Sequence, residues 1–163
     1  MRNMDDFPGA VGSKPPADYH FRKMAEPDLA DVLAIERSTY EFPWSETIFK
    51  DCLRVNYHCY VIEQLQQVKG YAVMTVAAGE SHILNLCVDK SLRGYGIGRS
   101  MLAHLVDQAR AYQAEMMLLE VRRSNTIAIE LYMKSDFNEI GRRNAYYPAK
   151  GGREDALILA RIL

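Results

Sequence analysis

The spacing of apolar positions changes several times along this chain, and each change marks an element. Tyr19 to Met24, "YHFRKM", alternates and predicts a short strand. Pro27 suits the first position of a helix, and Leu29, Val32 and Leu33 mark that helix's apolar face. The loop "YEFPW" interrupts, because Phe42 stands before Pro43 and is pushed away from the α region. Ser45 can then cap a second helix carrying Ile48, Phe49, Cys52 and Leu53. From Tyr57 to Val88 the pattern turns to strands. "YHCYVIE", "GYAVMTVAA" and "SHILNLCV" are rich in β-branched and aromatic residues and are separated by polar or Gly-bearing turns.

Beyond the glycine-rich stretch "RGYGIG", the residues Met101, Leu102, Leu105, Val106 and Ala109 form a helical stripe. "MMLLEV" is a short apolar run that predicts a central strand. Ser124 or Asn125 caps a helix with Ile127, Ala128, Leu131 and Tyr132 on one face. "FNEIGRR" and "DALILARI" predict two closing strands, joined by a loop that contains Tyr146, Tyr147 and Pro148. The order is that of one mixed α/β domain, with hairpin strands first and strand–helix alternation later. The first residues, "MRNMDDFPGAVGSKPPAD", mix Gly, Pro and charge without period and read as a flexible tail over 1–18, leaving 19–163 as the domain.

Composition narrows the function classes. A net charge of -1 gives no broad basic surface for direct nucleic-acid binding. No run approaches a membrane span and no secretory h-region is present, so neither a membrane nor export is expected. The three cysteines, Cys52, Cys59 and Cys87, are odd in number and lack C-x-x-C spacing, which disfavours a disulfide framework or a zinc site and suits a reducing, cytoplasmic setting. His58 beside Cys59 lacks the further ligands a metal needs. A monomer is the default.

The glycine stretch is the chemical signal. A strand, a glycine-rich turn and a helix start can hold phosphate, because the first helical N–H groups have no intrahelical partner and the dipole is positive there. Arg93 and Arg99 add charge beside Gly94, Gly96 and Gly98. The bland alternative is a strand-to-helix turn that favours glycine. A P-loop lacks its lysine here, and the G-x-G-x-G spacing is not that of a dinucleotide fingerprint.

"RGYGIG" resembles the [QR]-x-x-G-x-[GA] pyrophosphate loop of the GCN5-related N-acetyltransferases, which use acetyl-CoA. "FPWS", "NLCVD", "LEVRRSN", "LYMKSDF" and "RRNAYYP…GREDALIL" follow in the order found in its bacterial RimI-type branch, whose members acetylate the N-terminal alanine of ribosomal small-subunit protein eighteen. The likeness runs from about Tyr19 to Leu163, with Arg93 where many members carry glutamine and "SDF" where "LGF" is frequent. It implies a single domain with a central, mixed but mostly antiparallel sheet of about seven strands flanked by about four helices.

The resemblance also implies roles. Leu86, Cys87 and Val88 pair their backbone with the pantetheine arm of acetyl-CoA, and one N–H, that of Val88, faces the thioester carbonyl where negative charge grows. Arg93, Gly94, Tyr95, Gly96, Ile97, Gly98, Arg99 and Ser100 hold the pyrophosphate, and Asn125 contacts the cofactor. Cys87 is not read as a nucleophile, since its neighbours are apolar and direct transfer needs no covalent step. An α-amino group with a pKa of about 7.7–8.0 needs a base. Glu120 matches the family's base, against the alternative of a simple ion pair with Arg122 or Arg123. Tyr132 matches the acid that protonates the leaving thiolate, against the alternative of a core tyrosine. Phe42, Trp44, Tyr146 and Tyr147 flank the acceptor entrance, against ordinary packing. No metal enters this scheme. The competing functions are acetylation of a small amine, acetylation of protein lysines, and a non-catalytic acyl-CoA-binding protein on the same fold.

Overall fold

The computed structural model describes residues 18–163. The tail expected over 1–18 therefore lies, up to Ala17, outside the described residues. The elements are β1 (Tyr19–Lys23), α1 (Leu29–Thr39), α2 (Glu46–Arg54), β2 (His58–Gln64), β3 (Gln67–Ala77), β4 (Glu80–Val88), α3 (Ile97–Ala111), β5 (Met116–Arg122), α4 (Thr126–Met133), β6 (Asn138–Ala149) and β7 (Gly152–Ile162). They build one sheet of seven strands in the order β1-β2-β3-β4-β5-β7-β6. Every neighbouring pair is antiparallel except β4 with β5.

Strand alternation divides the core between two faces. Cys59, Val61, Tyr71, Val73 and Cys87 face α1 and α2 with Val32, Leu33 and Phe49. Tyr60, Ile62, Ala72, Met74, Leu86 and Val88 face α3, where Met101, Leu102, Leu105, Val106 and Ala109 are all buried as the stripe predicts. Ser45 caps α2 by accepting from the Ile48 N–H, and Asn125 caps α4 by accepting from that of Ala128. Two apolar assignments differ. Ile48 and Ile127 are exposed, because each lies in the first turn of a short helix, past the edge of the buried stripe.

A larger correction concerns Tyr146, Tyr147 and Pro148. They belong to β6 itself, and the turn lies beyond Ala149. β6 is the edge of the sheet, where a proline's missing N–H costs no ladder bond. The strand accommodates the run by slipping register against β7 between Arg143 and Tyr147, with Ala145 at φ 49°.

Candidate active site

The site begins where the sheet forks. β4 and β5 pair only from Glu80–Met116 to Ile83–Leu119. Against β3 the register of β4 jumps at the same place, from Met74–Ile83 to Val73–Asn85, so Leu84 is a bulge. A bulge bends its strand and ends regular pairing on one side. Past it, β4 stays with β3 while β5 stays with β7, and a gap opens between them. Leu84 and Glu120 are the first residues beyond the last pair.

The antiparallel ladder fixes which backbone groups face the gap. Asp89 donates its N–H to the Lys69 carbonyl at 2.8 Å. Bonded and non-bonded pairs alternate, so Cys87 and Asn85 exchange bonds with β3, whereas Leu86 and Val88 turn theirs away from it. Accordingly the Leu86 carbonyl accepts from the Tyr40 hydroxyl at 3.3 Å, and the Val88 carbonyl accepts from Arg93 Nε at 2.9 Å. The Leu86 and Val88 N–H groups face the gap, as an extended polar arm requires.

At the mouth of the gap stands the glycine turn. Gly94 and Gly96 have φ of 81° and 78°, a left-handed backbone that side chains rarely adopt. Gly96 is the N-cap of α3 and has no side chain to satisfy the first-turn N–H groups of Ile97, Gly98 and Arg99. Arg99 is exposed beside them, and Tyr95 is half-buried. Ser100 accepts from the Tyr19 hydroxyl at 3.3 Å. Arg93 is half-buried; besides the Val88 carbonyl it reaches Thr39 Oγ1 at 3.4 Å, so it also braces the end of β4. The turn suits a diphosphate in its backbone, its dipole and its cations.

On the other side of the fork lies a cleft of about 450 Å³, lined by Trp44, Leu84, Asn85, Glu120, Arg143, Tyr146, Tyr147 and Ile158, among others. Glu120, Trp44, Tyr146 and Tyr147 are thus brought together. Phe42 is half-buried and does not line it. Glu120 Oε1 lies 2.5 Å from Arg143 Nε. The Tyr146 phenol is held above its ordinary pKa, first by a hydrogen bond to Glu120 and then by burial. The Tyr147 hydroxyl donates to the Glu120 carbonyl at 3.1 Å, and the Arg122 guanidinium stacks 4.5 Å over its ring. The two tyrosines meet edge-to-face at 4.9 Å. Glu120 therefore pairs with Arg143, across the sheet, while Arg122, close to it in sequence, pairs with Glu154 at 3.2 Å.

Tyr132 is fully buried on α4, its ring edge-on to Phe137 at 5.6 Å. Burial pushes its phenol well above the usual value, so the proton stays on at neutral pH. Asn125 is buried at its cap position. Cys87 is buried with its thiol pKa raised, chiefly by desolvation, the opposite of an activated nucleophile. Among the described residues, no group of three His, Cys, Asp or Glu gathers to hold a metal ion, and no helix is long and apolar enough to cross a membrane.

Sequence reasoning missed Arg143, Asn85 and Glu36. The last is a fully buried carboxyl behind the cleft. Its position was readable, since 36 follows Val32 and Leu33 at helical spacing on the buried stripe of α1.

A split parallel pair, a bulge at the split and a glycine turn leading into a helix are the frame of an acetyltransferase, and this chain belongs to the acetyltransferase (GNAT) family, whose model matches residues 27–137. Among its relatives is the [ribosomal protein bS18]-alanine N-acetyltransferase of Escherichia coli K12, 37% identical over 133 residues, covering 82% of this chain and 90% of that one. The Haemophilus ducreyi protein of the same name is 31% identical over 141 residues, covering 86% and 97%. The crystal structure of the Escherichia coli ribosomal-protein-S18-alanine N-acetyltransferase superposes with a TM-score of 0.83 at 34% identity, covering 88% of this chain and 93% of that one.

Proposed function

We propose that this chain transfers acetyl from acetyl-CoA to the N-terminal amino group of a protein, with ribosomal protein bS18 as its substrate. The observation that carries the reading is the position of Glu120. It stands at the fork, where a gap suited to an extended cofactor meets a cleft with aromatic walls. The relatives named for bS18-alanine acetylation support the choice of acceptor.

Acetyl-CoA supplies an activated acetyl thioester. The chain supplies the rest. The first-turn N–H groups of α3, with Arg99, hold the diphosphate, and the gap-facing N–H of Leu86 grips the arm. The Val88 N–H offers a hydrogen bond to oxygen where charge builds. Glu120 exchanges Arg143 for the incoming ammonium and takes its proton. Tyr132, kept protonated by burial, is the proton source for the thiolate that departs. Trp44, Tyr146 and Tyr147 confine the acceptor to a small first residue at the end of an extended segment. Three buried cysteines, with Cys59 pushed up to about 12 by burial, suit a reducing cytoplasm.

The test is acetyl transfer to a short peptide with N-terminal alanine, beside the same peptide with a blocked N-terminus and an internal lysine. Modification of the free terminus alone, located by fragment mass spectrometry, supports the reading. Modification of the lysine peptide alone, or of small amines alone, replaces it with the corresponding alternative.

A further inference from the structure

Glu36 spends a fully buried carboxyl on three hydrogen bonds to three separate parts of the fold. Its Oε1 accepts from the backbone N–H of Trp44 at 2.7 Å. Its Oε2 accepts from Asn85 Nδ2 at 3.2 Å and, at very short range, from the Tyr71 hydroxyl. Trp44 belongs to the loop between α1 and α2, Tyr71 to β3 and Asn85 to β4. Trp44 and Asn85 both line the cleft. Behind them the rings continue the link: Trp44 packs on Phe49 at 5.4 Å, and Phe49 meets Tyr71 edge-on at 5.5 Å.

Burying a carboxyl in an apolar core is unfavourable, and a well-packed hydrocarbon at such a place is commonly as stable or more so. Stability alone gives no reason for Glu36. Its geometry gives one. A loop wall held only by ring packing can slide, whereas one bonded through its backbone to the strands beneath is fixed in position.

We propose that Glu36 is a positioning residue for the acceptor: it fastens the Trp44 wall of the cleft to β3 and β4 and so sets where the peptide's first residue is held. The proposal rests on the acetyltransferase reading given above. In this role Glu36 acts through Trp44 and Asn85.

The chain has a single tryptophan, so its emission reports this wall alone. Glu36→Ala leaves the Trp44 N–H and the Asn85 amide without their acceptor, while Glu36→Gln keeps an oxygen for the loop. In Glu36→Ala the emission shifts to the red and the peptide KM rises about ten- to hundredfold, with little change in kcat or in acetyl-CoA affinity. Glu36→Gln restores most of both. A folded Glu36→Ala protein with wild-type peptide KM overturns the proposal, as does an equal loss of acetyl-CoA affinity. Should Glu36→Ala not fold, hydrogen exchange at the Trp44 amide of the wild-type protein decides: slow exchange is expected, and exchange at the free-chain rate overturns it. If wild type acetylates no peptide, the function reading fails, while the emission and exchange measurements still decide whether Glu36 holds the wall.

Discussion

Arg143 Nε and Glu120 Oε1 stand 2.5 Å apart although they come from strands separated by β7. The registers set Glu120 opposite Ile158 and Ile158 opposite Gly141, so Arg143, two residues on from Gly141, shares that face and its long side chain reaches across β7. On the function proposed above, this pair keeps the Glu120 carboxylate in one orientation until an ammonium group replaces the guanidinium. Glu120→Gln keeps the shape and removes the base. Its kcat falls by roughly 10²–10⁴ while acetyl-CoA affinity, measured by calorimetry, is unchanged. Full turnover in this variant at every pH would falsify the assignment.

Tyr132→Phe keeps the edge-on contact with Phe137 and removes only the hydroxyl. Turnover drops by about 10² or more, and the far-ultraviolet circular dichroism stays that of wild type. A variant equally active across the pH range leaves Tyr132 as a core residue and nothing more.

Gly70 lies opposite Val88, where a Cβ would stand 2.7 Å from the Cys87 carbonyl oxygen and 2.6 Å from Ile62 Cδ1. The Ile62 methyl can move, but the β4 backbone yields only by shifting the strand that borders the gap. Gly70→Ala lowers unfolding free energy by about 1–3 kcal/mol and weakens acetyl-CoA binding with it. Chemical denaturation and a binding titration measure the two together; unchanged values in both contradict the close approach.

His104 on α3 sits between Phe21, 5.1 Å away, and Tyr60, 4.8 Å away, and its Nε2 is buried with no hydrogen-bond partner among the described residues. Desolvation lowers its pKa from the usual 6.5, opposed by the weaker field of Asp107. The unfolded chain then binds the proton more readily, so this site favours folding fully above about 6.5 and loses that contribution as pH falls through the lower folded value. His104→Phe removes the dependence. Its melting temperature gains on wild type as pH is lowered from 7 to 5, and a constant difference across that range would contradict the burial argument.

Much of this was readable from residue spacing. The α3 stripe, the caps at Ser45 and Asn125 and the three hairpin strands all rest on local rules, and the structure follows them. The departures come from context. Pro148 and the glycines after it read as a loop because the pattern does not say that β6 is an edge, where proline is tolerated. Ile48 and Ile127 carry the right residue type at the margin of a buried stripe whose width only packing decides. Glu36 lay on the apolar face of α1, yet its three donors come from sequence positions 8, 35 and 49 residues away. The aromatic pair was placed in the wrong element but beside the right cleft.

The fork between β4 and β5 has a mechanical meaning as well. Four paired positions, beginning at Glu80–Met116 and ending at Ile83–Leu119, are the only ladder among the described residues joining the β1–β4 half of the sheet to the β5–β7–β6 half. At the closed end the Glu115 N–H also donates to the Gly79 carbonyl at 2.7 Å and Ser81 Oγ to the Met116 carbonyl at 3.1 Å, whereas past Ile83–Leu119 the two strands part. If the function proposed above holds, an extended cosubstrate bonded to Leu86 and Val88 lies along the open edge of β4 and raises the free energy of unfolding by binding only the folded chain. On that reading, occupancy of the gap is written into the stability of the whole domain.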